Sequence, residues 1–299
     1  MIHALTIDVE DYHSILARDW LDREAPPSEA VVRKTHRLLE MLAEHDVRAT
    51  FFVLGEVAQT FPHLIRDLVE AGHEVGVHGY HHRQVFKLTP EEFRAEVGGA
   101  QSLIQDITGV AAQGHRAPAF SITPQTSWAL EVLAELGFRY DSSVFPIAGR
   151  RYGWPGFPLD IHEMTLDSGR KIIEAPLTTV SVFGKRFPAC GGGYLRHFPY
   201  WYTRWAIRRA QRSRPAIVYL HPYELDTVPY APDVSGLSPD ARRTALRFHR
   251  GQTRNRHTVK QKLVRLLGEF RFTTVSEVID RVLERSSPAS GCREAGAPA

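Results

Sequence analysis

Short β-type runs alternate with helical stretches of about 10 to 20 residues through the first half of the chain, and this alternation restricts the fold more than any other feature. HALTID (residues 3–8) precedes a helix expected from about Ser28 to His45. RATFFVL (48–54) precedes one over about Pro62 to Ala71, and EVGVH (74–78) follows. Thr89, Pro90, Glu91 and Glu92 combine an N-cap, a proline at the first helical position and early acids, opening a helix to about Ile107. Next come a strand ending at His115 and Arg116, a helix over about Pro124 to Leu136 stopped by Gly137, and a strand from Phe138 to Asp141. Strands separated in this way form βαβ units and a mainly parallel sheet, and enough units can close into a barrel. An α/β fold is expected, with functional side chains at the carboxyl ends of its strands.

Asp8, His78, Arg116, Asp141 and His221 all stand where an expected strand ends. Packing alone does not explain five polar groups at one rim. Between about Gly149 and Gly193 the pattern turns to Gly, Pro and aromatic residues, with IHEMTL and KIIEAPL as a strand pair, and reads as an elaborated loop on the substrate side. Tyr200 to Arg212 is expected to be helical, Ala216 to His221 a strand, and His257 to Leu267 a basic amphipathic helix. With 299 residues, 43% of them hydrophobic, the chain can bury one large core. One domain is expected over residues 1–285. The small and polar residues of 286–299 suggest a disordered tail.

The formal charge of +3 is mild, and the excess of base lies late, in Arg204, Arg208, Arg209, Arg212 and Arg214 and again from Arg242 to Arg271. Such a run is ordinarily solvated surface. It is also compatible with an anionic sugar, a lipid-linked substrate or peripheral contact with the inner membrane surface, and no nucleic acid is expected as a partner. The sequence does not show an oligomeric state. Cys190 and Cys292 are the two cysteines, and a structural disulfide between them is not expected. The first residues enter a strand at once, and no run approaches the roughly 18 apolar residues that span a bilayer. A cytoplasmic location is the expectation.

His78 and His82 stand four apart, the separation of one helical turn, which suits two imidazoles meeting one ion; His81 lies between them, and His73 reads as surface. Two imidazoles and a carboxylate make a three-ligand metal site with room for water, the arrangement of a hydrolase. Asp8 is either a capping acid or a general base for that water. The anionic ligand is then Glu10, on the same side in extended geometry, or Asp11, if the chain turns. Arg116 beside a base aspartate would fix the carboxylate and hold it ionised. His221, directly after an apolar strand, suits a general acid, with Asp141 holding its other ring nitrogen. Tyr80 and the backbone beyond Asp141 are candidate oxyanion donors. In CGGGYLR (190–196) the glycines permit close backbone approach, and Arg196 could reach an anionic group on substrate; Trp154, Phe157 and Trp201 could stack on sugar rings.

The order TIDVED, HGYHH, RAPAF, DSSVFP and YLHP resembles the five motifs of the polysaccharide deacetylases, carbohydrate esterase family 4, whose shared unit is the NodB homology domain. The DVEDY start, the CGGGYLR segment and a late block at about 225–280 are most similar to the exosortase-associated exopolysaccharide deacetylases, and the resemblance covers roughly Met1 to Val278. It implies a distorted (β/α) barrel of about seven parallel strands and removal of N-acetyl groups from amino sugars of a polysaccharide or its lipid-linked precursor, in exopolysaccharide biosynthesis. By motif it makes Asp8 the base, His78 and His82 metal ligands, Arg116 the partner of the base, and His221 the acid positioned by Asp141. The family's commonest first motif has two adjacent aspartates. Here Val9 intervenes, so the third ligand stays open between Glu10 and Asp11, and with it the metal. Zinc is the first candidate, and Ni2+, Co2+ or Fe2+ also suit two nitrogens and a carboxylate.

Two other readings compete. A similar barrel could open cyclic amides or ureides, which ammonia or carbamoyl products would reveal. A non-catalytic glycan-binding module would bind acetylated oligosaccharide without releasing acetate.

Overall fold

Parallel strands are laid down in the order of the chain. The computed structural model describes residues 1–21, 23–149, 152–189 and 191–286, so Cys190, Cys292 and the tail beyond 286 lie outside the described residues. Strands β1 (Ile2–Val9), β2 (Thr50–Val53), β3 (Glu74–Val77), β4 (Gly114–His115) and β5 (Tyr140–Asp141) sit side by side. The expected pair β6 (His162–Thr165) and β7 (Lys171–Glu174) is antiparallel and joins through β7 to β5. Strands β8 (Thr179–Val182) and β9 (Lys185–Pro188) form a separate hairpin. β10 (Ile217–Leu220) pairs with one edge of β1, and β11 (Arg271–Thr273) pairs with its first residues. The sheet therefore runs β10-β1-β2-β3-β4-β5-β7-β6, parallel throughout except for β6 at its edge. Among the described residues no ladder joins β7 to β10, so the barrel is open there. A hydrogen bond from Ile217 N–H to Thr178 Oγ1, 2.6 Å, crosses the gap.

The helices are α1 (Tyr12–Trp20), α2 (Glu29–Glu44), α3 (Gly55–Thr60), α4 (Pro62–Glu70), α5 (Pro90–Thr108), α6 (Trp128–Glu135), α7 (Gly192–His197), α8 (Tyr200–Ala210), α9 (Pro239–Thr253), α10 (Val259–Glu269) and α11 (Val275–Ser286). In α2, Val31, Thr35, Leu38 and Leu42 are buried at helical spacing, which turns one stripe onto the sheet. The signals around α5 act as expected. Thr89 and Glu92 form a reciprocal capping box, and Gly109 ends the helix at φ 75°. The helix expected over 124–136 divides, with a 3-10 turn at Pro124–Thr126 before α6. None of the helices among the described residues is long and apolar enough to cross a membrane.

Side chains along β1 alternate between two buried layers. Leu5, Ile7 and Val9 enter the cluster under the helices, while Ala4 joins Phe52, Tyr140, Ile217 and Tyr219 inside the barrel. Interior rings need room that only glycine leaves: a Cβ on Gly114 would stand 2.1 Å from Cζ of Tyr140. The same alternation sends Thr6, Asp8 and, one step past the strand, Glu10 towards the barrel mouth.

Candidate active site

Glu10 completes a three-residue cluster with the histidine pair. Its Oε1 lies 3.1 Å from Nε2 of His78 and 3.1 Å from Nε2 of His82. All three residues are buried, and their ligand atoms lie within 4.8 Å of one another. Nδ1–H of His78 donates to the Arg116 carbonyl at 2.7 Å, so in the neutral ring Nε2 presents a lone pair to the cluster. A lone pair facing a carboxylate oxygen at contact distance is an arrangement that a shared cation satisfies, and two imidazole nitrogens with one carboxylate are a divalent-metal donor set. Burial alone would push the Glu10 carboxyl up, but His82, His221 and His78 draw it well below the usual carboxylate range. The histidines meet for a reason other than the expected helical turn. The chain from His78 to Arg83 is irregular, with Gly79 at φ 77° and His82 itself at φ 57°. His81 points outward to Glu96, and His73, expected at the surface, is buried against Phe51.

Asp11 is not in the cluster. As the N-cap of α1 its carboxylate accepts from Ser14 N–H at 3.3 Å, and it also accepts from Ser28 N–H at 2.8 Å and from Ser28 Oγ at 3.0 Å. The chain does turn after Glu10, but the turn begins a helix and leaves Asp11 as its cap. Asp11→Ala is therefore expected to cost about 1 kcal/mol of stability, the usual value of such a cap, with metal content unchanged by elemental analysis.

A second possible cation cluster, Asp8, Glu10 and His221, lies beside the first. It is the poorer one. Nε2 of His221 is 3.9 Å from Asp8 and 3.7 Å from Glu10, and carboxylates on both sides favour a protonated ring, which cannot ligate. Asp8 Oδ1 instead takes Nη1 of Arg116 at 2.8 Å, and the same nitrogen reaches Thr6 Oγ1 at 2.6 Å. Ser142 holds the rest of the guanidinium through its carbonyl and hydroxyl, at 3.0 Å and 2.9 Å, and the cation sits 4.4 Å above the ring of Phe52. Arg116 is fully buried and fixes one oxygen of Asp8, turning the other towards His221.

Asp141 does not hold His221. β5 lies next to β4 with Asp141 beside His115, so its Oδ1 takes Nδ1–H of His115 at 2.7 Å and the hydroxyl of Ser143 at 2.7 Å. Lateral neighbours in the sheet claim the carboxylate, and β10 stands across the open barrel. Ser143 in turn accepts the Ala117 N–H at 2.7 Å, so Asp141 shapes the segment that carries Arg116.

The partner of His221 is Glu224, which the sequence reading missed. Pro222 starts a short 3-10 turn, and Glu224, three residues after His221, reaches back to its backbone N–H at 3.1 Å and to its ring Nδ1 at 3.3 Å. The histidine and glutamate of HPYE stand at the spacing of a capping box with proline at the first helical position, a signal available in the sequence. Burial lowers the His221 pKa, but Glu10, Glu224 and Asp8 outweigh it and raise the ring to about 9. Arg196 stands behind Glu224, Nε to Oε1 3.0 Å, and binds the carbonyl and side chain of Gln252. Its guanidinium is thus held within the protein, and the residue also lines the cavity above the cluster. Glu224→Gln is expected to lower kcat at least about tenfold, a part of the 10²–10⁴ that general acid catalysis supplies, with KM little changed. The acid is active protonated, so activity falls as pH rises through its pKa, and without the glutamate that fall should move to lower pH. An unchanged pH profile would count against the pairing.

Tyr80 is elsewhere: its hydroxyl donates to Gln59 and its N–H to Glu96. The N–H groups of Ser142, Ser143 and Val144 are spent on His115, Asp141 and Glu174, so these three are not free as oxyanion donors. Phe157 is buried with Trp154 packed on it, and Trp201 faces outward. Above the cluster is a cavity of 470 Å³, within the range of small-ligand sites, with Asp8, Glu10, His82 and His221 among its lining. Tyr152 and Tyr194 border one side, hydroxyl to hydroxyl at 2.6 Å, and Trp20 stacked on Phe248 borders the cavity as well. Among the described residues of the stretch expected as a substrate-side loop, Tyr152 and Gly193 reach the cavity.

The family model for polysaccharide deacetylase matches residues 25–140, and that for a domain of unknown function, DUF3473, matches residues 142–280. The boundary cuts through the site, since His78, His82 and Arg116 fall in the first, His221, Glu224 and Arg196 in the second, and Asp8 and Glu10 before both. A peptidoglycan-N-acetylglucosamine deacetylase of Bacillus cereus is 34% identical over 98 residues, 32% of this chain and 36% of that protein. A peptidoglycan deacetylase of Helicobacter pylori is 35% identical over 108 residues, 36% of each. The chain thus spans about a third of the length of these curated relatives. A crystal structure assigned to the polysaccharide deacetylases, from Mycobacterium smegmatis, shares the fold at a TM-score of 0.60 and 21% identity, covering 95% of this chain and 91% of that one. Residues 25–140 thus match the polysaccharide deacetylase family and residues 142–280 match DUF3473, and the chain shares its fold with the Mycobacterium smegmatis structure.

Proposed function

We propose that the protein removes N-acetyl groups from amino sugars of a polysaccharide or its lipid-linked precursor, as a metal-dependent hydrolase. The observation that carries this reading is the grouping of Glu10, His78 and His82 on the cavity floor, with Asp8 and His221 beside them as base and acid. A divalent cation supplies Lewis-acid polarisation of a carbonyl and lowers the pKa of water. Two nitrogens and a carboxylate oxygen suit zinc first, and nickel, cobalt or iron next. Asp8, held in place by Arg116, accepts the proton of the attacking water through the oxygen that faces the cavity. His221, kept protonated by its carboxylate neighbours, gives its proton to the departing amine nitrogen, and Glu224 keeps the ring in line. The names of the curated relatives support an N-acetylated glycan as substrate. The DVEDY start and the CGGGYLR segment favour one made in exopolysaccharide synthesis.

The test is to incubate metal-analysed protein with a panel of N-acetylated oligosaccharides and measure acetate and product mass. Acetate with a matching mass loss is the expected result. Binding without acetate, or release of ammonia or carbamoyl products in its place, would overturn the proposal.

A further inference from the structure

We propose that α8 and the β8–β9 hairpin together form a surface that seats on an anionic lipid bilayer. Trp201, Trp205, Arg208 and Arg209 are all exposed, and at helical spacing they fall in one stripe, with Arg212 continuing it just past the helix end. The opposite face, Thr203, Ala206, Ile207 and Ala210, is buried. Trp201 is 68% exposed and Trp205 40%.

The hairpin presents a second apolar tip. Val182 and Lys185 are the last paired residues, so Phe183 and Gly184 form a two-residue turn, both with positive φ, 49° and 74°. Asn, Asp or Gly ordinarily occupies the first of these positions, because the left-handed conformation crowds a Cβ. Here it holds a phenylalanine that is 100% exposed. Among the described residues nothing covers this ring to offset the conformation that the turn imposes on it, and an apolar phase outside the protein would.

A groove lined by Ser181 of the hairpin and by Arg209 and Arg212 places the two elements on one surface. Arg204 and Arg208 share Glu269, and Asp160 lies near Arg214, whereas Lys185, Arg209 and Arg212 have no ion pair among the described residues. The face is therefore basic as well as aromatic. Its apolar groups are single rings on protruding elements with cations between them, which suits rings at headgroup depth and cations at phosphates better than a continuous apolar patch on a protein partner. A run of ring contacts joins the face to the cavity: Tyr194 to Phe198 at 5.6 Å, Phe198 to Tyr202 at 4.7 Å, and Tyr202 to Trp205 at 5.7 Å. A chain seated in this way would hold its cavity close to the lipid surface.

The test is co-sedimentation of the full chain with phosphatidylcholine vesicles, with and without phosphatidylglycerol, at low and high salt. The expected result is binding to the anionic vesicles that high salt releases, with little binding to phosphatidylcholine alone. A Phe183→Ser, Trp201→Ser, Trp205→Ser variant and, separately, an Arg209→Glu, Arg212→Glu variant should each bind at least about tenfold more weakly, at unchanged thermal midpoint and unchanged turnover of a soluble substrate. Equal binding to both vesicle types, or normally folded variants that bind like wild type, would overturn the proposal. So would a wild-type dimer that the aromatic variant converts to monomer without any vesicle binding, since the face would then belong to a second copy. The vesicle-binding, thermal and oligomeric readouts do not depend on whether the protein deacetylates sugars.

Discussion

The Asp8→Asn variant is expected to release acetate about 10³-fold more slowly than wild type, within the span that acid–base catalysis supplies, while keeping its metal. Asparagine retains an oxygen for Arg116 and occupies the same space, so the arrangement around the guanidinium should survive. It cannot take a proton at neutral pH. Asp8 is 1% exposed and Arg116 0%, so leaving that cation with a neutral partner carries a stability cost that must be separated from the chemical one. A thermal midpoint measured beside the rate does this. A folded, metal-loaded variant with the wild-type rate would remove Asp8 from the mechanism.

The second large effect concerns the metal. Glu10→Ala and His78→Ala should each weaken binding of the cation by more than about 100-fold, since loss of even an outer partner of a metal ligand costs 10–100-fold. Elemental analysis after dialysis against buffer with trace zinc gives the readout, with Asp11→Ala as the control that stays loaded. Full occupancy in Glu10→Ala would refute its assignment. Loss in Asp11→Ala at normal stability would mean that the cap rearranges to bind the ion.

The contrast between Glu10 and Asp11 shows where the sequence stops being legible. Alternation along HALTID places Asp8 on the inner face of a strand, and extending it by two places Glu10 there too. Nothing in the acidic run DVED itself shows that a helix begins at Tyr12 and takes Asp11 as its cap. Asp141 failed for another reason. Its position at a strand end was readable, but its partner depends on which strands are neighbours, and β5 lies beside β4 and far from β10 in the sheet order. The spacing of His78 and His82 suits a helical turn, but an irregular loop with His82 at positive φ brings the rings together instead. Glu224, conversely, is within reach of sequence rules, since it stands three residues after His221 behind a proline, although it lies past the strand end. α2, α4 and α5 are legible because each carries an apolar stripe, and α5 has start and stop signals as well, whereas the short helices α1 and α3, just past the ends of β1 and β2, are not among the expected elements. α9 has Ala245 as its one buried residue, so it lacks the stripe that would announce it.

The central claim is that Glu10, His78 and His82 hold one divalent cation between Asp8 and His221. Anomalous diffraction from crystals of the zinc-loaded protein tests it most directly. The account predicts one peak about 2.0–2.2 Å from Oε1 of Glu10 and Nε2 of His78 and His82, the usual zinc distances to these donors. A peak bound by Asp8, Glu10 and His221, or no peak at this floor in fully loaded protein, would contradict it.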